Sequence, residues 1–364
     1  MIPRIFAVFS AFVLAGFSLG HSQNVSTPVV GFVKTSAAPS SDTMIAPQVM
    51  RASELSASVS SVTVAGDGLT ATLALSGTTL TTDQFKYVVN TQPKTYFALV
   101  KSGNMAGAYF VVSSNTTSGL VVNLDGLTLG NADVTSVEVR PFWTLNTLFP
   151  PSEANVSFVP STSTTTAGRR TQILIPDNTS TGSNRNPSKV FFYNNTLGDW
   201  VTTTAASVKA GDTVIDPAGY VILRNTGGTP PTLSITSSGS VLTDKVDIYL
   251  ATASNKSNDN YIALPRASDY KLSELGFTDT NFVQSTSKTT GGRRDTLLVL
   301  DKTGAGINRA PSKVYFKFGG AWYDSSASAT AVDPTIPAGT ALVVRKFTSD
   351  GYDKVVGNIS NFTP

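Results

Sequence analysis

Short runs of β-prone residues cover the chain, and clusters of turn residues separate them. Typical runs are Thr171–Ile175 and Lys313–Phe318. Beyond the N-terminal segment no stretch of ten residues carries an apolar stripe with helical spacing, and the best helix candidate is a single turn at 268–275. Val, Thr, Ile and aromatic residues favour strands, whereas Pro and Gly end them. The pattern predicts an all-β protein.

A long segment of the chain occurs twice. FVPSTSTTTAGRRTQILIPDNTSTGSNRNPSKV at 158–190 and FVQSTSKTTGGRRDTLLVLDKTGAGINRAPSKV at 282–314 agree at 20 of 33 positions without a gap. A weaker match aligns 32–55 with 249–275 and places Asp42 opposite Asp259. In the second copy this piece leads almost at once into Phe282, but in the first copy about 90 residues intervene. We infer that an inserted domain splits the first copy.

These matches predict four segments along the chain. Residues 1–22 form a signal peptide, 23–55 plus 145–245 the first β-unit, 56–144 the inserted domain, and 246–364 the second β-unit. Each unit has the length of a β-sandwich or barrel-like domain. The insert has five or six short strands, which predicts a small β-barrel of the SH3-like or OB-like kind.

The N-terminus has the features of a secretory signal. Arg4 precedes an apolar run over 5–19, and small residues follow at Gly20 and Ser22. The run is shorter than a membrane-spanning helix requires. We expect an exported protein, outside the cell or on its surface with the periplasm as the alternative, and no membrane span once the signal is removed.

Composition removes several classes of chemistry. Cysteine is absent, and the single histidine, His21, lies at the signal junction. Ser-His-Asp and Cys-His catalysis and structural zinc sites therefore lack their residues. With 27 basic and 24 acidic residues and no basic run longer than two, nothing indicates a nucleic-acid partner. We predict no cofactor and no enzymatic activity; a polysaccharide lyase relying on Tyr, Lys and Arg is the remaining enzyme class.

The two long copies share the motif G-R-R-x-x-x-L-x-x-D-x-T-x-x-G-x-N-R-x-P-S-K-V. Its cations and amides could bind a carboxylate, a sulfate or an acidic sugar, because arginine offers a two-pronged donor. Alternatively the aspartate starts an Asx-turn, the glycine supplies a positive φ, and the arginines hold the loop through nearby carboxylates and carbonyls. The candidate ligand-binding residues are Arg169, Asp177, Asn184, Arg185, Arg293, Asp301, Asn308 and Arg309.

Two other kinds of site are weaker candidates. Asp177 begins an oxygen-rich segment, but no calcium-loop spacing is present and Lys302 occupies the position after Asp301 in the second copy. We therefore predict no metal site. Trp200 and Trp322 could stack on sugars if exposed, but each starts a strand after a tight turn, which favours core packing.

The repeated motif, together with the runs QPKTY at 92–96 and SGNMAGAYF at 102–110, resembles a family of uncharacterised exported bacterial proteins. The resemblance covers nearly the whole chain after the signal. It implies export and a shared architecture, and it brings no activity or catalytic residue with it.

These observations lead to two hypotheses about function. The first is an exported non-enzymatic β-domain protein, a structural, adhesive or surface-assembly component of the bacterial envelope or extracellular space, whose partners are other envelope proteins. The alternative is a carbohydrate-binding protein for acidic polysaccharides that uses the loops of the repeated motif.

Overall fold

The computed structural model describes residues 29–151, 158–227, 229–253 and 256–347, and the backbone of 354–358. Strands account for 41% and helices for 5% of the protein, which confirms the predicted all-β class. None of the helices in the described ranges has the length and apolarity needed to cross a membrane. The predicted signal peptide, residues 1–22, lies outside the described residues.

The first unit is built on a five-stranded antiparallel sheet. In sheet order its strands are β12 (Asp199–Thr202), β11 (Lys189–Asn194), β10 (Thr171–Ile175), β14 (Val221–Asn225) and β2 (Ser41–Ile45). Two ribbons accompany it: β1 (Val30–Ala37) with β15 (Leu233–Ser240), and β9 (Trp143–Thr144) with β13 (Val214–Ile215). Helix α1 (Leu145–Leu148) follows β9, and a 3₁₀ turn at Thr166–Gly168 precedes β10.

The second unit has the same strands in the same order. In the direction that matches the first sheet, its strands are β21 (Ala321–Asp324), β20 (Lys313–Phe318), β19 (Thr296–Leu300), β23 (Ala341–Lys346) and β17 (Asn258–Ala263). Its ribbons are β16 (Asp247–Ala251) with β24 (Lys354–Asn358), and β18 (Tyr270–Lys271) with β22 (Thr335–Ile336). The 3₁₀ turns are at Leu272–Leu275 and Thr290–Gly292.

A closed six-stranded barrel lies between β2 and β9 of the first unit. Its strands are β3 (Leu55–Val64), β4 (Thr70–Leu75), β5 (Tyr96–Ser102), β6 (Tyr109–Asn115), β7 (Gly119–Asn123) and β8 (Ser136–Pro141), and they close in the order β3-β4-β7-β6-β5-β8. An OB barrel uses five strands, one fewer than this barrel. Trp143 and Thr144, predicted within the insert, pair with β13 of the first unit.

Burial follows the sequence pattern in the barrel. Every second side chain of β4 is buried, with Ala71, Leu73 and Leu75 facing inward between half-buried neighbours. This alternation is what a strand with one face in the core requires. The tryptophans at the starts of β12 and β21 are also internal: Trp200 has no exposed surface and Trp322 is 6% exposed. The core-packing interpretation of these aromatics is confirmed.

The sheets of the two units pack against each other through a small apolar cluster. Met44 and Ala46 from the β2 region lie in one cluster with Ala341 and Val343 of β23. Burial of this contact removes apolar surface of both units from water. The packing also brings the repeated loop of each unit beside the sheet of the other unit.

Candidate functional site

The repeated motif forms two equivalent loops, 176–188 between β10 and β11 and 301–312 between β19 and β20. Their backbones turn in the same way. Gly182 and Gly306 have φ values of 130° and 108°, and Asn184 and Asn308 both have a φ of 53°. Glycine adopts positive φ freely, and asparagine tolerates the left-handed region better than most residues. The polar residues that the two loops share are therefore held in the same backbone geometry.

Asp177 and Asp301 start these loops with Asx-turns. Asp177 Oδ1 accepts hydrogen bonds from the backbone N and Oγ1 of Thr179, at 2.9 and 2.8 Å. Asp301 Oδ1 accepts the same pair from Thr303, at 2.8 and 2.9 Å. The backbone and hydroxyl donors of Thr303 lower the pKa of Asp301. Burial favours the neutral form of Asp177, but donors from Ser180 and Thr179 outweigh it and lower the pKa of Asp177. Both carboxylates are therefore ionised turn formers.

Each loop is bound by a buried aspartate of the other unit. Asp42 on β2 is 3% exposed and accepts hydrogen bonds from Nε and Nη2 of Arg224, at 2.7 and 2.8 Å. Its Oδ2 also accepts the backbone N–H of Asn308, at 2.8 Å. Arg224 in turn donates to Oδ1 of Asn308 at 2.6 Å. One carboxylate thus joins its own sheet to the loop of the second unit.

The reverse contact has the same geometry. Asp259 on β17 is 2% exposed and accepts Nε and Nη2 of Arg345, at 2.7 and 3.0 Å. Its Oδ2 accepts the backbone N–H of Asn184 at 2.7 Å, and Arg345 donates to Oδ1 of Asn184 at 2.7 Å. We call the two sets the reciprocal clasp: Asp42, Arg224, Asn308 and Arg309, with Asp259, Arg345, Asn184 and Arg185.

The loop arginines complete the clasp through backbone carbonyls. Arg185 Nη1 donates to the carbonyl of Gly182 and to Oδ1 of Asn258, both at 2.7 Å, and its Nε donates to the carbonyl of Asp177 at 2.9 Å. Arg309 Nη2 donates to the carbonyls of Asp42 at 3.0 Å and of Asp301 at 2.9 Å. The side chain of Arg185 is only 9% exposed. Its fork is directed into the protein rather than toward a ligand.

The remaining two candidates, Arg169 and Arg293, make contacts elsewhere in their own units. Arg169 Nε donates to the carbonyl of Thr164 at 2.9 Å, and its guanidinium lies 5.9 Å from the ring centre of Phe192. Arg293 Nη2 donates to the carbonyl of Ser325 at 3.0 Å. The structure thus brings six of the eight candidate residues into the clasp or its turns and leaves the two arginines of the G-R-R segments outside it. Across the ranges that the structure describes, no three histidine, cysteine or acidic side chains come together to hold a metal ion.

A cleft of about 850 Å³ opens where the barrel and both units meet. Tyr109 of the barrel donates to Oδ1 of Asp216 across it, at 2.7 Å. Burial, followed by the negative charge of Asp247, raises the pKa of Tyr249 to about 12, so its phenol stays a hydrogen-bond donor at neutral pH. The polar and aromatic lining of the cleft comprises Tyr109, Phe110, Asp125, Phe142, Asn178, Thr179, Ser188, Lys189, Thr213, Asp216, Tyr249, Asn260 and Tyr261.

Sequence reasoning missed this cleft. Its lining comes from all three domains, so no single motif contains it. Tyr109 lies in a strand of the barrel, and Tyr249 and Tyr261 lie in two strands of the second unit, but only the fold brings them to one place.

Comparison with protein-family models, with curated proteins and with solved structures gave no match. The functional conclusions below therefore rest on the residues and geometry of this chain.

Proposed function

We propose that the chain is an exported, non-enzymatic structural protein of the bacterial envelope or extracellular space. The observation that carries this proposal is the reciprocal clasp. Four of the eight candidate residues, Asn184, Arg185, Asn308 and Arg309, bind the opposite unit instead of facing a ligand. The repeated motif is then an assembly device within the chain. Export rests on the apolar run over 5–19 behind Arg4, as predicted from the sequence.

The clasp supports a structural role through its rigidity. Asp42 and Asp259 are nearly inaccessible to water, and charge-assisted hydrogen bonds are stronger and more directional in such surroundings. Two equivalent anchor points, together with the shared apolar cluster, oppose both bending and twisting between the units. A fixed tandem of β-domains suits a protein that spans or spaces other components.

Cell fractionation tests this proposal. We expect an epitope-tagged full-length chain, produced in the bacterium that encodes it, in the envelope or culture medium. The matched control lacks residues 2–22 and should remain in the cytoplasm. Recovery of the full-length chain mainly in the cytoplasm would contradict export. Release of envelope-bound chain by a low-salt wash alone would contradict a structural role, because an assembled component requires denaturant or detergent.

A specific observation favours a second candidate, glycan binding in the cleft. Tyr109, Tyr249 and Tyr261 line the cleft, and aromatic side chains are the usual groups for stacking and hydrogen bonding with sugars. The charged groups of the lining are two carboxylates, Asp125 and Asp216, and one cation, Lys189. This balance favours an uncharged oligosaccharide over the acidic polysaccharide expected from the loop arginines.

A glycan array followed by calorimetry measures this directly. We expect binding to neutral oligosaccharides and a loss of about fivefold in affinity for Tyr249→Ala, since one stacked ring contributes about 1 kcal/mol. Tyr87→Ala, at an exposed tyrosine outside the cleft, is the matched control and should bind like the parent protein. Equal binding by the two variants, or preference for acidic glycans, would rule out the cleft as this site.

A further inference from the structure

One lysine and one aspartate are enclosed together inside the second unit. The Lys346 side chain is 2% exposed and the Asp295 side chain is fully buried, and the Nζ of Lys346 contacts Oδ2 of Asp295. In every other ion pair among the described residues at least one side chain is more than 10% exposed. This pair is therefore the one from which water is most completely excluded.

The backbone holds the two groups in register. Thr296 lies opposite Arg345 in the pairing of β19 with β23, so Asp295 and Lys346 are neighbours one step further along. The amine also donates to the carbonyl of Asn281 at 2.7 Å. The carboxyl accepts the backbone N–H of Val283 at Oδ2, 2.8 Å, and that of Phe347 at Oδ1, 2.7 Å. The amine and the carboxyl are thus both fixed by hydrogen bonds to the main chain.

The first unit shows that the fold does not require charges at this place. The equivalent positions are Thr171 and Asn225, which lie opposite each other in β10 and β14 and are both fully buried. Both side chains are uncharged and bond to neutral groups: Thr171 Oγ1 accepts the N–H of Val159 at 2.8 Å, and Asn225 Nδ2 donates to the carbonyl of Pro231 at 2.7 Å, although Oδ1 of Asn225 has no partner. Burying a charged pair costs several kcal/mol for each ion. The second unit therefore bears the cost of a buried ion pair at a place where the first unit has two uncharged side chains.

We propose that Lys346 and Asp295 become joined by an amide bond between Nζ and Cγ, an internal cross-link between β23 and the start of β19. The modification removes both charges, so the buried product carries only a neutral amide. Its N–H and C=O can keep the existing bonds to Asn281 and Phe347. The cross-link ties β23 to β19, the central strand of the second sheet.

The step balances without an added reagent. A proton passes from the ammonium to the carboxylate, and the free amine attacks Cγ of the carboxylic acid. The backbone N–H of Phe347 donates to the oxygen that becomes negative in the tetrahedral intermediate. The nitrogen then gives up a proton to the departing hydroxyl group, and one water molecule leaves. Burial raises the pKa of Asp295 against the opposing effect of Lys346, and this favours the neutral acid from which the reaction starts.

Mass spectrometry of the purified full chain, unfolded in denaturant, tests the proposal. We expect a tryptic peptide in which 295–302 is joined to 346–354, lighter than the sum of its two parts by the mass of one water molecule. Cleavage after Arg294, Lys302, Arg345 and Lys354 produces these ends. Trypsin also cleaves after an unmodified Lys346, so recovery only of the separate peptides 295–302 and 347–354, from protein that folds normally, would overturn the proposal.

A matched variant separates the cross-link from folding. The double substitution Asp295→Thr and Lys346→Asn installs the pair that the first unit already uses, so it should fold and lack the branched peptide. Lys346→Arg keeps a cation of similar length and should also lack it. The pair of Lys101 and Asp244 is an internal control, because these exposed side chains remain solvated and should yield no branched peptide. A branched peptide that persisted in either variant would assign the cross-link to other residues and contradict the proposal.

Discussion

Asp42→Ala is expected to destabilise the protein by about 3–5 kcal/mol, the usual cost of removing one partner from a buried ion pair. Arg224 would lose both carboxylate oxygens that accept its hydrogen bonds, and the N–H of Asn308 would lose its acceptor on the first unit. The guanidinium could not regain full hydration, because the Arg224 side chain is only 19% exposed and Asn308 of the second unit lies against it. Equilibrium unfolding in urea, followed by tryptophan fluorescence, measures the change.

Two controls distinguish the clasp from a general effect of removing an aspartate. Asp259→Ala breaks the equivalent contact with Arg345 and Asn184, so its cost should match that of Asp42→Ala. Asp83→Ala removes an exposed pair with Lys86, and such pairs contribute at most about 1 kcal/mol. A cost below about 1 kcal/mol for both buried aspartates would mean that the clasp does not hold the units together.

Asp42→Asn separates charge from shape at the same site. The amide oxygen can still accept one hydrogen bond from Arg224. The amide nitrogen, which is itself a donor, would face the second N–H of Arg224 and could not accept its hydrogen bond. We expect a loss close to that of the alanine variant, because a guanidinium without a counter-charge remains in a largely dehydrated place. A nearly neutral effect would show that hydrogen-bond geometry, rather than charge, stabilises the contact.

The sequence predicted the internal form of the repeated loops well. An aspartate followed two residues later by threonine predicts an Asx-turn, and Asp177 and Asp301 both form one. Glycine at 182 supplies a positive φ, as expected, and Asn184 adds a second left-handed residue. These features depend on neighbours within a few residues, so local chemistry is enough to predict them.

The partners of the loops could not be predicted in the same way. The alignment of Asp42 with Asp259 was visible in the sequence, but a repeat does not reveal which surfaces of its two copies oppose each other. Arginine has the same chemistry toward an acidic sugar and toward an aspartate of another domain. Only the packing of the two sheets shows that Asn308 and Asn184 meet these aspartates.

The two units differ at one buried pair of residues, and the sequence alone shows only half of that difference. Asp295 stands where the first copy has Thr171, and that exchange is visible in the aligned repeat itself. Lys346 lies beyond the aligned segment, so its counterpart Asn225 becomes apparent only from strand pairing. These two positions are buried in both units but carry charges only in the second. The fold that the units share therefore does not need the charges.

Trp200→Ala should destabilise the first unit by about 3–5 kcal/mol, the usual cost of deleting a fully buried large aromatic side chain. The ring makes edge contacts with Phe149 and Phe158, with centroid separations of 6.4 and 5.0 Å, and its Nε1 donates to the carbonyl of Phe149 at 3.0 Å. Alanine leaves a cavity and an unpaired buried carbonyl, so both losses act together. Urea unfolding monitored by circular dichroism gives the size of the effect, because that signal does not depend on the deleted fluorophore.

Trp322→Ala makes the same test in the second unit and shows whether the two units unfold together. Trp322 packs against Phe282 and Phe277 at 5.0 and 6.0 Å, an arrangement close to that of Trp200 with its phenylalanines. If the clasp makes the two units unfold together, either tryptophan variant should shift one single transition of the whole protein. If each unit unfolds alone, the unit that carries the substitution should unfold at a lower urea concentration, while the other unit keeps its unfolding midpoint. Two separate transitions in the parent protein would contradict the coupling, since buried charge contacts of this kind cannot be broken on one side without cost to both.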